Sequence, residues 1–177
     1  MTIPNFITLA RLCAVPAVVM FMLASRYDLA FILFVAAGIS DAIDGIIARH
    51  FNQGSALGAY LDPLADKALL VSIYMALGYI GHIPVWLIVL VVSRDLLIIG
   101  GVVLSWVVGR PVAIEPIFVS KANTAVQLGF AAVVLAGLGY GWRIGGLIEV
   151  GVWLVAALTL ASTAAYLIAW TRHMDER

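Results

Sequence analysis

The sequence predicts an all-α fold, an integral membrane bundle of six transmembrane helices with a short N-terminal interfacial segment, residues 1–177 forming one domain. Three observations predict it. The chain is 64% hydrophobic and only 11% charged, against roughly 25% charged in ordinary soluble domains, and its mean hydropathy is +1.10. The apolar residues gather into six runs, each near the roughly 20 residues that cross a hydrocarbon core about 30 Å thick. The breaks between the runs are short and carry turn residues or charge, which leaves no room for a second domain.

The first span, about 6–25, follows five residues without Lys or Arg; it reads as a retained helix, neither a cleaved secretory signal nor an Arg-rich transit peptide. "SRYD" separates it from a second span at about 28–48, and "FNQGS" separates that from a third at about 59–80. "GHIP" leads into a fourth at about 84–108, "GRPVAIEP" into a fifth at about 117–139, and "GYGWRIGG" into a sixth at about 145–171. The closing "RHMDER" reads as a solvated tail. An even number of spans puts both termini on one side. Arg11, Arg49, Arg110, Arg172 and Arg177 would lie there, against Arg26 and Arg143 opposite, so the positive-inside bias makes that side cytoplasmic. A bacterial inner membrane is the expected location.

Composition also bounds the function. The formal net charge is zero, which gives no support for nucleic acid as a partner. Cys13 is the only cysteine, so no intrachain disulfide exists. Gly100 with Gly101, and Ala125 with Gly129, would allow close helix contact.

The charges in the second and third spans stand out. Asp41, Asp44, Asp62 and Asp66 lie within a stretch whose flanks are apolar enough for lipid, where each charge costs about 2.5–3.5 kcal/mol at mid-membrane. Asp41 and Asp44 are about 60° apart on one helix face, and Gly58, Asp62 and Asp66 follow one another every fourth residue on the next helix. A short link makes those helices antiparallel neighbours, so the carboxylates can converge. Mutual repulsion would then protonate several of them unless positive charge sits among them. Arg49 and Lys67 are the only basic residues nearby, and Lys67 projects about 100° from Asp66. Divalent cations are the simpler answer. With no cysteine and only His50 close by, oxygen ligands favour Mg²⁺, Mn²⁺ or Ca²⁺ over zinc. Two such ions about 3.5–4 Å apart serve phosphoryl chemistry. Gly45, Ala48 and Gly58 remove bulk on the same side, where a nucleotide could approach.

These residues form the pattern Asp41-x2-Asp44-Gly45-x2-Ala48-Arg49-x8-Gly58-x3-Asp62-x3-Asp66, and "IPNFITLARL" adds Pro4, Asn5, Thr8 and Arg11. The pattern resembles the signature of the CDP-alcohol phosphatidyltransferases, and with six spans the resemblance covers nearly the whole chain. It implies a homodimeric membrane enzyme that binds CDP-diacylglycerol through two divalent cations, Mg²⁺ or Mn²⁺, and transfers the phosphatidyl group to an alcohol, releasing CMP. Carried over, Asp41, Asp44, Asp62 and Asp66 are metal ligands, and Asp66 is also the catalytic base. Asn5, Thr8, Asp41, Gly45, Ala48, Arg49 and Gly58 bind the CDP portion.

For the acceptor, "SRDLLIIGG" puts Arg94 and Asp95 in the fourth span and "FVSKANTAVQ" puts Lys121 near the start of the fifth. Basic groups inside a bundle read as an anion pocket, so the acceptor should carry a phosphate. A competing reading pairs Arg94 with Asp95 and merely locks helices, and Lys121 could snorkel to the interface. "GSALGAYLDPLADK" and these two stretches are similar to the branch that makes cardiolipin from CDP-diacylglycerol and phosphatidylglycerol. The branch acting on glycerol 3-phosphate is the alternative; it typically has Arg-Glu and a second lysine where this chain has Arg94-Asp95 and Asn123.

A cation or proton transporter is the rival class, because intramembrane carboxylates serve both. The small residues at fixed offsets and Arg49 favour the transferase. His50 reads as interfacial, Glu149 as satisfied near a helix start, and Trp86, Trp106, Trp142, Trp153 and Trp170 as an interfacial belt.

Overall fold

The computed structural model describes residues 3–51, 58–107 and 118–175; within them, the side chains of 3–9, 41–51, 58–64, 66, 102, 106 and 172–175 lie outside the description. The described residues form six helices and no strand: α1 (Ile3–Leu23), α2 (Tyr27–Phe51), α3 (Gly58–Ile80), α4 (Val85–Val107), α5 (Phe118–Gly139) and α6 (Gly145–Asp175). Because α1 already begins at Ile3, the expected N-terminal segment is the first turn of that helix. Likewise α6 runs on to Asp175, since no Gly or Pro stops it before the tail.

Among the described residues, three helices are long and apolar enough to cross a membrane: Val85–Ser105, Phe118–Gly139 and Gly145–Thr171. Within the described residues of the other helices, apolar stretches run over Ala10–Leu23, Tyr27–Ser40 and Lys67–Ile80.

α1, α3 and α5 end alike. Ser25, Gly81 and Gly141 take the left-handed conformation, with φ of 58°, 90° and 69°. The following amide then reaches back five residues: Arg26 to the Phe21 carbonyl at 2.8 Å, His82 to Leu77 at 2.9 Å and Trp142 to Gly137 at 2.9 Å. This is the Schellman cap, which occupies carbonyls the helix leaves over. Glycine fits it without cost; Ser25 carries a Cβ into a conformation that disfavours one.

The described residues cluster into two compact units. One comprises Met1–His82 with Ala131–Ile144, the other Ile83–Phe130 with Gly145–Arg177. In the first, α1 packs against both α2 and α3. Leu70, Ile73, Tyr74 and Leu77 on α3 are buried at the i, i+3, i+4, i+7 spacing of one helix face. Arg11, expected at a charged helix end, is 4% exposed and shares the buried face of α1 with Val18 and Met22. The C-terminal turn of α5 meets the start of α2 so closely that a Cβ on Gly139 would lie 2.7 Å from the Asp28 backbone nitrogen. Tyr27 Oη and His82 Nε2 are 3.2 Å apart in the same unit.

In the second unit α4 packs against α6. Leu87, Val91, Val152 and Val155 are buried there, while Val85, Val89, Leu96, Leu154 and Leu160 are exposed, the apolar outer surface that lipid covers. Trp86 and Trp153 rings pack with centroids 5.6 Å apart.

Candidate functional site

The helices carry the acidic motif as its spacing requires. Asp41, Asp44, Gly45, Ala48 and Arg49 all fall within α2, and Gly58, Asp62 and Asp66 within α3. Unbroken helix over both segments puts Asp41 with Asp44, and Gly58 with Asp62 and Asp66, on single faces. Asn5 and Thr8 fall in the first turns of α1. The side chains of all these residues lie outside the described ones, so the convergence of the four carboxylates does too. Among the described side chains no group of three His, Cys, Asp or Glu could hold a metal. The donor set fits divalent cations in its chemistry: four carboxylates, no thiolate, and an oxygen-only character that suits Mg²⁺ or Mn²⁺.

The second unit holds a buried polar cluster around Arg94, which is 4% exposed. Its Nη1 donates to Asp95 Oδ1 at 2.6 Å, an ion pair between two buried side chains. Its Nη2 donates to Ser162 Oγ at 2.7 Å and to Ser120 Oγ, and its Nε reaches Ser162 Oγ at 3.3 Å. The Tyr166 ring lies 5.7 Å from the guanidinium carbon, within cation–π range. Three helices thus meet on one cation: α4 supplies Arg94 and Asp95, α5 Ser120, α6 Ser162 and Tyr166. Lys121, the residue after Ser120, is exposed.

The polar contacts continue along α5 and α6. Thr159 Oγ1 donates to Asn123 Oδ1 at 3.0 Å and accepts from Gln127 Nε2 at 3.3 Å, all three fully buried. Ser120, Asn123 and Gln127 are spaced i, i+3, i+7, and Thr159 and Ser162 i, i+3, so one face of each helix forms the seam. In an apolar setting each such hydroxyl or amide needs a partner, and the pairing ties the two helices in register. Sequence reading singled out Lys121 and Arg94 but missed Ser162, Thr159 and Ser120. A lone hydroxyl in an apolar run looks like ordinary membrane composition; the i, i+3 recurrence of polar residues on α5 was the available signal.

Beside the cluster lies an apolar cavity of about 530 Å³ between α4 and α6. Leu96, Gly100, Gly101, Leu167 and Trp170 line it, and Ser93 and Tyr166 bring it to the Arg94 neighbourhood. A Cβ on Gly100 would meet nothing within 4 Å, so the glycine leaves open space there.

Comparison with known proteins gives one consistent family. Residues 1–170 match the family model described as CDP-alcohol phosphatidyltransferase. The chain is 35% identical to the cardiolipin synthase (CMP-forming) of Rattus norvegicus and to that of Homo sapiens, in each case over 92% of this chain and 59% of the relative. It is also 33% identical to the chloroplastic CDP-diacylglycerol–glycerol-3-phosphate 3-phosphatidyltransferase 1 of Oryza sativa subsp. japonica, over 100% of this chain and 59% of that protein. The chain therefore spans about three fifths of the length of these relatives.

Proposed function

We propose that this chain, which belongs to the CDP-alcohol phosphatidyltransferase family, transfers a phosphatidyl group from CDP-diacylglycerol to the hydroxyl of phosphatidylglycerol, giving cardiolipin and CMP. The observation that carries this reading is the eight-residue acidic motif seated on two unbroken helices, α2 and α3. A cation transporter needs carboxylates too, but has no use for Gly45, Ala48 and Gly58 at these offsets. The likeness to relatives named as cardiolipin synthases supports the product.

The acceptor hydroxyl oxygen bonds to the lipid-side phosphorus, the bond from that phosphorus to the CMP oxygen breaks, and the hydroxyl proton passes to the Asp66 carboxylate, the general base in this reading. Asp41, Asp44, Asp62 and Asp66 would hold two divalent cations, which would supply positive charge against the pyrophosphate, the largest lever in such transfers. Asn5, Thr8 and Arg49 contribute donors toward the CDP portion, and Gly45, Ala48 and Gly58 leave the backbone open beside it.

Arg94 and Lys121 bind the acceptor phosphate. Asp95 balances the charge of Arg94, so Arg94 contributes direction and Lys121 the net positive charge. The cavity between α4 and α6 favours a lipid acceptor over glycerol 3-phosphate: its lining is almost wholly apolar, it shares Tyr166 with the Arg94 cluster, and an acyl chain suits it where a small polyol phosphate does not. All six helices cross the membrane in this reading. Residues 1–177 act as one domain in a homodimer, with both termini cytoplasmic.

The test is direct. Purified protein with CDP-diacylglycerol and Mg²⁺ or Mn²⁺ is offered phosphatidylglycerol or glycerol 3-phosphate separately, with CMP release followed and the lipid product weighed by mass spectrometry. Cardiolipin mass with phosphatidylglycerol is expected. Phosphatidylglycerophosphate alone would reassign the acceptor, and no CMP with either would favour transport.

A further inference from the structure

We propose that Ser162 is a positioning residue for the acceptor site, holding one edge of the Arg94 guanidinium so that the opposite nitrogen is left to meet the acceptor phosphate. The inference rests on the reading of Arg94 as an acceptor-binding residue.

A guanidinium carries five N–H groups in a rigid plane. Ser162 Oγ lies on two of its nitrogens, Nη2 at 2.7 Å and Nε at 3.3 Å, and Ser120 Oγ takes the other Nη2 hydrogen. Asp95 Oδ1 takes one Nη1 hydrogen at 2.6 Å. Four of the five are used, and among the described residues the fifth, on Nη1, has no hydrogen bond. The plane is fixed from one side by hydroxyls and by the Tyr166 ring, which sits one turn beyond Ser162 on α6. Fixing one edge of a planar fork fixes the other.

The choice of a hydroxyl has a physical reason. A second carboxylate at position 162 would add negative charge beside Asp95 and repel a phosphate. An apolar residue would leave Nε and Nη2 unpaired in an apolar setting. Serine satisfies both nitrogens and adds no charge. Being fully buried, it has no exit to solvent and stays in place when the acceptor leaves.

The test compares Ser162→Ala, Ser162→Thr and Arg94→Ala in the full chain in mixed micelles, with phosphatidylglycerol and glycerol 3-phosphate as separate acceptors. Losing a hydrogen bond to a charged group is worth about 1.5 kcal/mol. Ser162→Ala should therefore raise the KM of the working acceptor roughly tenfold while the KM for CDP-diacylglycerol stays unchanged. Ser162→Thr, which keeps the hydroxyl, should restore it. In an Arg94→Ala background, Ser162→Ala should add nothing, because its effect runs through Arg94. A merely structural serine would lower thermal stability and leave the ratio of the two KM values alone; that result overturns the proposal, as does full additivity. If Ser162→Ala does not accumulate, Ser120→Ala removes a hydroxyl from the same edge and should give the same selective rise; no rise overturns it. Should Arg94→Ala itself leave acceptor KM untouched, the acceptor reading falls and the inference with it. An Arg94 effect without a serine effect sinks the inference alone.

Discussion

Trp170 donates its indole N–H to Ser105 Oγ at 2.9 Å, and Ser105 donates in turn to the Gly101 carbonyl at 2.7 Å, so α6 is tied to the backbone of α4 through one hydroxyl. A tryptophan expected only as part of an interfacial belt is thus a helix-to-helix contact. Trp170→Phe keeps most of the ring and removes the donor, at a cost of about 1 kcal/mol. Unfolding in detergent should shift down by about 2–4 °C; an unchanged midpoint would show that the bond contributes nothing.

Two glycines on α5 should respond differently to the same substitution. At Gly139 a Cβ would strike the Asp28 and Tyr27 backbone, at 2.7 to 3.0 Å, and backbone cannot step aside. At Gly137 the nearest obstacle is the end of the Ile144 side chain, which can change rotamer. Gly139→Ala should cost about 1–3 kcal/mol and Gly137→Ala less. Parallel thermal melts decide it, and equal losses would contradict the ordering.

Ser25 is the exception among three matched helix caps. Ser25→Gly removes a Cβ from a left-handed residue and should stabilise by about 1 kcal/mol, read as a rise in the midpoint of thermal unfolding. A fall would mean that the serine side chain has a partner worth more than the strain.

Asp62→Asn and Asp66→Asn should each leave a folded protein and lower turnover roughly a hundredfold or more, the scale of losing a metal ligand or general base. Chelation with EDTA should abolish CMP release, and excess Mg²⁺ or Mn²⁺ should restore it in the wild type. Near-normal turnover in either variant would remove the assigned roles.

Helix placement was legible because apolar run length and turn residues are local signals. The six expected segments coincide with helices α1 to α6 within a few residues at most ends, three of them long and apolar enough to cross a membrane among the described residues, and "GHIP" and "GYGWRIGG" hold the left-handed glycines that stop α3 and α5. The acidic motif was legible for a related reason: period and helix together place Asp41 with Asp44 and Asp62 with Asp66. The Arg94–Asp95 pair was legible as the competing reading of those two residues, and it forms at 2.6 Å, but the rest of what surrounds Arg94 was not. Partners from α5 and α6 lie 26 and 68 residues away in sequence, and no local pattern reports such a meeting. The burial of Arg11 was equally hidden, since a positive residue at a span end reads first as a topology signal.

The three capped turns leave very little chain between helices: residues 24–26, 81–84 and 140–144. A flap that folds over a reaction chamber has to be built from loop, and these connections hold none to spare. If the helices span the bilayer, those turns leave no opening for a bulky lipid, so any lipid that reaches the buried residues enters sideways between helices from the surrounding leaflet.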